Sequence, residues 1–299
     1  MPHHPLIPAA NEFDSCARAP FGRPTVKKRH RPSARRSVLA LAALLLLPLQ
    51  GCDDGASEPA SETEAILLIY CGITMLHPIR AIVDIFAAET GARVTISQGG
   101  SEDLYKSLAL SRIGDLYFPG SLSYRERHLD EGLLGPAVRV GYNVAALVVT
   151  EGNPKGIAAD VAVLTDPALS VVIANPESGS IGREAQRILE HVGLYGTVLD
   201  NISVMATDSR NLNFTLVDGT ADVALNWRAT AFFPENRDRL DVLDIDPALA
   251  VPKTLAINRL TFSEHPDLAQ RFMDLAASPR GQAIFRSYGF LDRDGLSED

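Results

Sequence analysis

The chain has 299 residues, of which 46% are hydrophobic, 22% charged and 6% aromatic, an ordinary globular composition long enough for two domains of about 100–150 residues each. Three cysteines, at positions 16, 52 and 71, exclude a disulfide-stapled scaffold and a cysteine-rich zinc module. Residues 1–51 carry eight Lys/Arg against two Asp/Glu and the remainder 20 against 35, for a net charge of −9, so the acidic body lacks the basic footprint of a nucleic-acid-binding surface.

The basic N-terminus is a separate object. Arg35-Arg36-Ser37 precede ten apolar residues at 38–47, followed by Pro48-Leu49-Gln50-Gly51-Cys52. A positive flank, a short apolar core and a small residue before the cut describe a secretory signal. Ten residues are too few to span a bilayer, which takes about 20. Leu49-Gln50-Gly51-Cys52 resembles a bacterial lipobox, which implies that Cys52 is lipidated and becomes the first mature residue. The Arg35-Arg36 pair leaves twin-arginine export open beside the general route. Residues 1–51 thus read as leader and signal. Residues 52–65 are mostly small and acidic and read as a flexible tether. The expected location is the periplasmic or extracytoplasmic face, lipid-anchored through Cys52.

Beyond residue 65 strand-like and helix-like patterns alternate, which predicts an α/β fold with mostly parallel sheets. Residues 66–70 form a continuous apolar run of buried-strand type. Ile79, Ile82, Val83 and Phe86 recur at helical spacing and Gly91 supplies a stop. A strand is expected at 94–96, then a helix opened by Gly99-Gly100-Ser101 that carries Leu104 and Leu108, with Leu110 a further candidate for its apolar face. Residues 115–118 read as a short strand ended by Pro119-Gly120, helix follows to about 131, and 144–149 is a strong strand. The second series has strands at 171–173, 202–205 and 223–225. Its helices are one lined by Ala185, Ile188 and Leu189 and a short one at 211–217. A strand at 254–257 and helices at 266–276 and 281–288 close the chain. The repetition predicts two lobes, 66–140 plus 243–299 and 141–242, joined by hinge strands with a ligand cleft between them.

In open α/β sheets ligands bind beyond the carboxyl ends of strands, where loops feed helix N-termini. Four such loops stand out: Gly72-Ile73-Thr74, Gly99-Gly100-Ser101, Pro119-Gly120-Ser121 and Ser178-Gly179-Ser180. Glycine admits close backbone approach, while hydroxyls and the free amides of a first helical turn donate together. With the helix dipole this suits a small oxyanion held without formal positive charge. The plain alternative for any one loop is an N-cap, which contributes about 0.5–2 kcal/mol. Asn226-Trp227-Arg228 follows an apolar strand. Trp227, the sole tryptophan, defaults to core packing, and Arg228 is either a counter-charge or a salt-bridge partner. Arg183 and Arg210 sit at loop-to-helix junctions, within reach of a larger anion or of solvent.

Enzymatic signals are thin. The chain has no G-x-S-x-G elbow, P-loop or H-E-x-x-H helix, and His77, His128, His191 and His265 show no metal-ligand spacing. Cys71 ends a buried apolar strand, where one thiol is a small hydrophobe. Asp115, an acid starting a short strand, reads as a cap or a bond to its neighbours. No catalytic residue, metal or cofactor is expected, and the chain is not expected to be an enzyme.

Tyr70-Cys71-Gly72-Ile73-Thr74-Met75, Gly99-Gly100-Ser101, the run 114–120, Asn175-Pro176-Glu177-Ser178-Gly179-Ser180, Ala221-Asp222-Val223-Ala224 and the run 285–290 together resemble the periplasmic molybdate-binding protein family, in order and over residues 66–291. The resemblance implies a solute-binding protein of an ABC importer with a type 2 periplasmic-binding fold, acting as a monomer with a membrane permease as partner. It implies that Thr74 and Ser101 hold the oxyanion, with Gly120 and Gly179 at contributing loop positions and Trp227 in place of a tyrosine hydroxyl. Asn226-Trp227-Arg228 is similar to the Glu-Tyr-Arg segment of archaeal molybdate/tungstate binders, with Asn226 replacing the acid. The expected ligand is molybdate or tungstate. The alternative is another anion (phosphonate, sulfate or an organic carboxylate) that uses Arg228. A ferric site would need clustered Tyr, His and carboxylate ligands, and the loops offer none.

Overall fold

The computed structural model describes residues 65–292; the leader, the signal, Cys52 and the tether up to residue 64 lie outside the described residues. In chain order the elements are β1 (Ile66–Gly72), α1 (Leu76–Thr90), β2 (Arg93–Gly99), α2 (Ser101–Ser111), β3 (Leu116–Phe118), α3 (Ser123–His128) and β4 (Leu134–Asn143). Then come β5 (Ala145–Thr150), β6 (Val171–Ala174), α4 (Ser180–His191), α5 (Tyr195–Asn201), β7 (Ile202–Ala206), α6 (Ser209–Val217), β8 (Val223–Trp227) and β9 (Leu240–Leu243). The series ends with β10 (Lys253–Leu260), α7 (Pro266–Ala277) and α8 (Pro279–Ser287).

The strands form two sheets of five, ordered β2-β1-β3-β10-β4 and β7-β6-β8-β5-β9. Within each, three neighbours run parallel, β2-β1-β3 and β7-β6-β8. The next strand, β10 or β5, runs antiparallel to both of its neighbours. The sheets are therefore mixed. The chain passes from the first sheet to the second between β4 and β5 and returns between β9 and β10, so the reversed strands lie beside the crossings.

Register aims the loops. Gly72 pairs with Gly99 and Cys71 with Phe118, so the segments after β1, β2 and β3 leave their sheet at one level. In the second sheet Ala174 pairs with Ala206, which does the same for the segments after β6 and β7. One face of the first sheet packs Ile69, Ile79, Phe86 and Phe272, and the other packs Leu104, Leu108, Tyr117 and Tyr124. The second lobe buries Val172, Ile188, Leu212 and Trp227 in one cluster. Each fully buried aliphatic or aromatic side chain contributes about 1.5–3 kcal/mol.

Several elements depart from expectation. β4, β9 and α5 carry no clear sequence pattern: β4 is half exposed along its first six residues and holds Gly135, Pro136 and Gly141. Leu110 is 89% exposed, because two residues beyond Leu108 a helix has turned to its opposite face. Asp115 is buried, accepting the Leu68 amide at 2.8 Å and the Ser263 hydroxyl at 2.6 Å, so it pins the start of β3 to β1. Cys71 is fully buried, and that burial pushes its thiol well above the ordinary range.

Candidate functional site

The segments that leave the two sheets converge. Thr74, Ser101 and Gly120 from the first lobe and Gly179, Ser180, Asp208 and Ser209 from the second line one chamber between the lobes. The hydroxyl-bearing residues Thr74, Ser101, Ser180 and Ser209 are all buried. The space they enclose is about 10 Å3, room for one water, because the lobes touch across it. Thr74 Oγ1 and Ser209 Oγ lie 2.8 Å apart. A Cβ on Gly100 would overlap the Ser178 carbonyl, and one on Gly120 would overlap the Ser180 hydroxyl. Glycine at these two positions is what lets the lobes meet.

Ser101 and Ser180 open α2 and α4, and the capping positions before them are Gly100 and Gly179, which carry no side chain to bond the first turn. The N-cap explanation for these serines therefore does not apply: their helices present orphan amides and the positive end of the dipole to the chamber. α6 differs, since Asp208 accepts the amides of Arg210 and Asn211 at 2.9 and 3.0 Å.

Both serine hydroxyls are oriented by a donor behind them. Gly120 N–H donates to Ser101 Oγ at 3.0 Å, and the Trp227 indole N–H donates to Ser180 Oγ at 3.2 Å. With a lone pair engaged and no protein acceptor for the hydroxyl proton among the described residues, each serine keeps its O–H for a further acceptor. The Gly120 amide is itself committed to Ser101. Among the described residues no Lys or Arg lines the chamber, and the only formal charge there is Asp208. That carboxylate is turned back on its own helix, also accepting the Asn211 side-chain amide at 3.2 Å.

Four of the expected ligand positions, Thr74, Ser101, Gly120 and Gly179, are thus brought together, and three are not. Asn226 is fully buried, donating to the Ser209 carbonyl at 2.9 Å and Asn213 Oδ1 at 2.7 Å while accepting the Trp227 amide at 2.8 Å. It ties β8 to α6. Trp227 stands behind Ser180 in the second-lobe core and does not line the chamber. Arg228 turns away, paired with Asp244 at 3.1 Å and stacked over Phe232, so it supplies no counter-charge. Sequence reasoning missed Ser209, although Asp208-Ser209 after β7 carries the same strand–small polar–helix signal as the other loops.

Two α/β lobes that meet over a buried chamber lined mainly by neutral groups have the build of a protein that closes on a small ligand. The chain belongs to the bacterial extracellular solute-binding protein family, whose profile matches residues 67–291. It is similar to the molybdate-binding protein of Rhodobacter capsulatus, 23% identical over 238 residues that cover 79% of this chain and 92% of the relative. It is also similar to the sulfate-binding protein of Synechococcus elongatus, 26% identical over 295 residues that cover 86% of this chain and 83% of the relative. Among solved structures, the periplasmic molybdate-binding protein of Azotobacter vinelandii matches with a TM-score of 0.63 at 21% identity, over 75% of this chain and 98% of that one. That likeness shows the shared fold. Among the described residues no helix is long and apolar enough to cross a membrane.

Proposed function

We propose that this solute-binding protein captures a small tetrahedral oxyanion, molybdate or tungstate, in the inter-lobe chamber and delivers it to the permease of an ABC importer. The observation that carries the reading is the pair Ser101 and Ser180, each opening a helix without a side-chain cap and each holding a hydroxyl proton with no protein acceptor. Together with the first-turn amides of α2 and α4 they turn donors toward the chamber. Such donors replace the hydration of a dianion by fixed dipoles. A protonated anion brings a donor where donors already point, leaving one group unsatisfied at a cost of about 1–3 kcal/mol.

Enclosure follows from the same contacts. The chamber is too small for an oxyanion while Thr74 and Ser209 touch, so the lobes part for entry and close with the anion in place of that contact. Recognition of the closed form by a permease, and attachment to the membrane through a lipid on Cys52, complete the proposed role. The related molybdate-binding and sulfate-binding proteins support an oxyanion as ligand.

Calorimetric titration of the purified full-length chain tests the reading. Molybdate and tungstate are expected to bind one per chain, with hydrogen phosphate at least about tenfold weaker because it keeps a proton at neutral pH. Absence of heat with molybdate and tungstate, or tighter binding of phosphate, contradicts it.

A further inference from the structure

A second cavity adjoins the chamber at Ser180 and has the opposite character. It measures about 360 Å3 and is walled by Tyr124 and Arg127 on α3, Arg183 and Arg187 on α4, and Lys253 at the start of β10. Among the described residues these four cations pair with two buried carboxylates, Glu102 and Glu184. Glu102 Oε2 receives Arg127 at 3.2 Å and Arg183 at 3.4 Å. Glu184 receives Arg187 at 2.7 Å and Lys253 at 3.2 Å. The remaining carboxylate, Glu190, lies at the exposed rim and accepts from Gln186.

Each buried carboxylate is shared between two cations, so a positive excess faces the cavity in a chain whose net charge is −9. Donors are also left over. A guanidinium carries five N–H groups and an ammonium three, whereas Arg127 places one on Glu102 and Arg183 places two, on Glu102 and the Tyr124 hydroxyl. Tyr124, pushed up to about 12 chiefly by burial, stays protonated at neutral pH. Because its oxygen accepts from Arg183, its own proton remains for another acceptor.

We infer that this basic cavity is a second anion subsite, beside the chamber at Ser180, that takes a carboxylate or phosphate group. The inference rests on the reading of the chamber as the oxyanion site and extends its ligand class to small organic anions with two anionic ends, such as phosphonocarboxylates. Arg127, Arg183, Arg187 and Lys253, not Arg228, supply the counter-charge. The same subsite can be filled by the second end of one ligand or by a separate anion.

Titration of the full-length chain with phosphonoacetate, methylphosphonate and molybdate, and of the molybdate-saturated chain with acetate, tests it. Phosphonoacetate is expected to bind at least about tenfold more tightly than methylphosphonate, the scale of one or two charge-assisted hydrogen bonds. In R127Q/R187Q that ratio should fall to within about twofold with molybdate affinity unchanged, while R127K/R187K, which keeps the charge, should retain most of it. Acetate heat on the molybdate-saturated chain, absent in R127Q/R187Q, supports the same subsite filled by a free anion. Equal affinity for the two phosphonates together with no acetate heat overturns the subsite, as does a variant that weakens molybdate as much as phosphonoacetate. Binding of phosphonoacetate but not molybdate sustains the subsite and overturns the molybdate assignment. No heat with any probe overturns both.

Discussion

Asp208 is the residue that least suits an anion chamber, and its geometry explains how it is tolerated. Its Oδ1 takes two backbone amides of α6 and its Oδ2 takes the Asn211 side chain, so the lone pairs point into the helix. The negative charge nonetheless remains beside the chamber. Asparagine caps a helix as well as aspartate does, so Asp208→Asn removes the repulsion and keeps α6. Molybdate affinity is expected to rise several-fold, equivalent to about 1 kcal/mol for one screened charge, with Tm nearly unchanged. A fall in affinity would mean that the carboxylate itself engages the ligand. What could be read along the chain at this scale was local. Ser101 and Gly179 announce themselves because glycine and hydroxyl residues precede a helix after an apolar strand. Trp227 and Arg228 could not be placed, since their direction depends on which partners the fold supplies: a serine on α4 for one, Asp244 for the other.

Among the elements, α4 faces two ways. Its first residue lines the chamber, while Arg183 and Glu184, one turn on, reach Glu102 and Lys253 of the first lobe. The strand–helix joint at β8 and α6 is held by Asn226, whose amide satisfies the Ser209 carbonyl and whose oxygen takes the Trp227 amide. Asn226→Leu leaves those buried groups unpaired and is expected to cost about 2–4 kcal/mol in denaturant unfolding. A loss under about 0.5 kcal/mol would show that the network is dispensable. The turn after α3 is expected to respond to acid. The hydrogen bond from His128 at 2.7 Å, with a second from Tyr105 at 3.0 Å, holds the Glu131 carboxyl below the usual carboxylate range. A carboxyl depressed in the folded state adds stability above its unfolded pKa, about 4.3 for Glu, and loses it as pH falls through the folded value. Glu131→Gln should therefore melt slightly below the wild type at neutral pH, with the gap closing under about pH 4. A gap that widens on acidification contradicts the assignment. Long periodic elements such as α1 and α7 were legible because a buried helical face repeats, whereas β4 and β9 were not, because a strand that is half exposed or only partly buried leaves no apolar run to read.

For the whole molecule, the two-lobed division follows from two alternating strand–helix series, and the convergence of loops follows from parallel strands ending at one level. The sequence pattern could not show the degree of closure, which depends on cross-lobe contacts such as Thr74 with Ser209 and Glu102 with Arg183. Nor could it show the basic cavity, assembled from α3, α4 and β10, elements far apart along the chain. In the proposed complex, neutral donors from both lobes enclose the anion. Crystals of the full-length chain grown with molybdate, with data collected at the molybdenum absorption edge, test it most directly. A molybdenum peak is expected between Thr74, Ser101, Ser180 and Ser209, its oxygens within about 2.7–3.1 Å of hydroxyl and amide donors. A strongest peak among Arg127, Arg183 and Arg187, or beside Arg228, would contradict it.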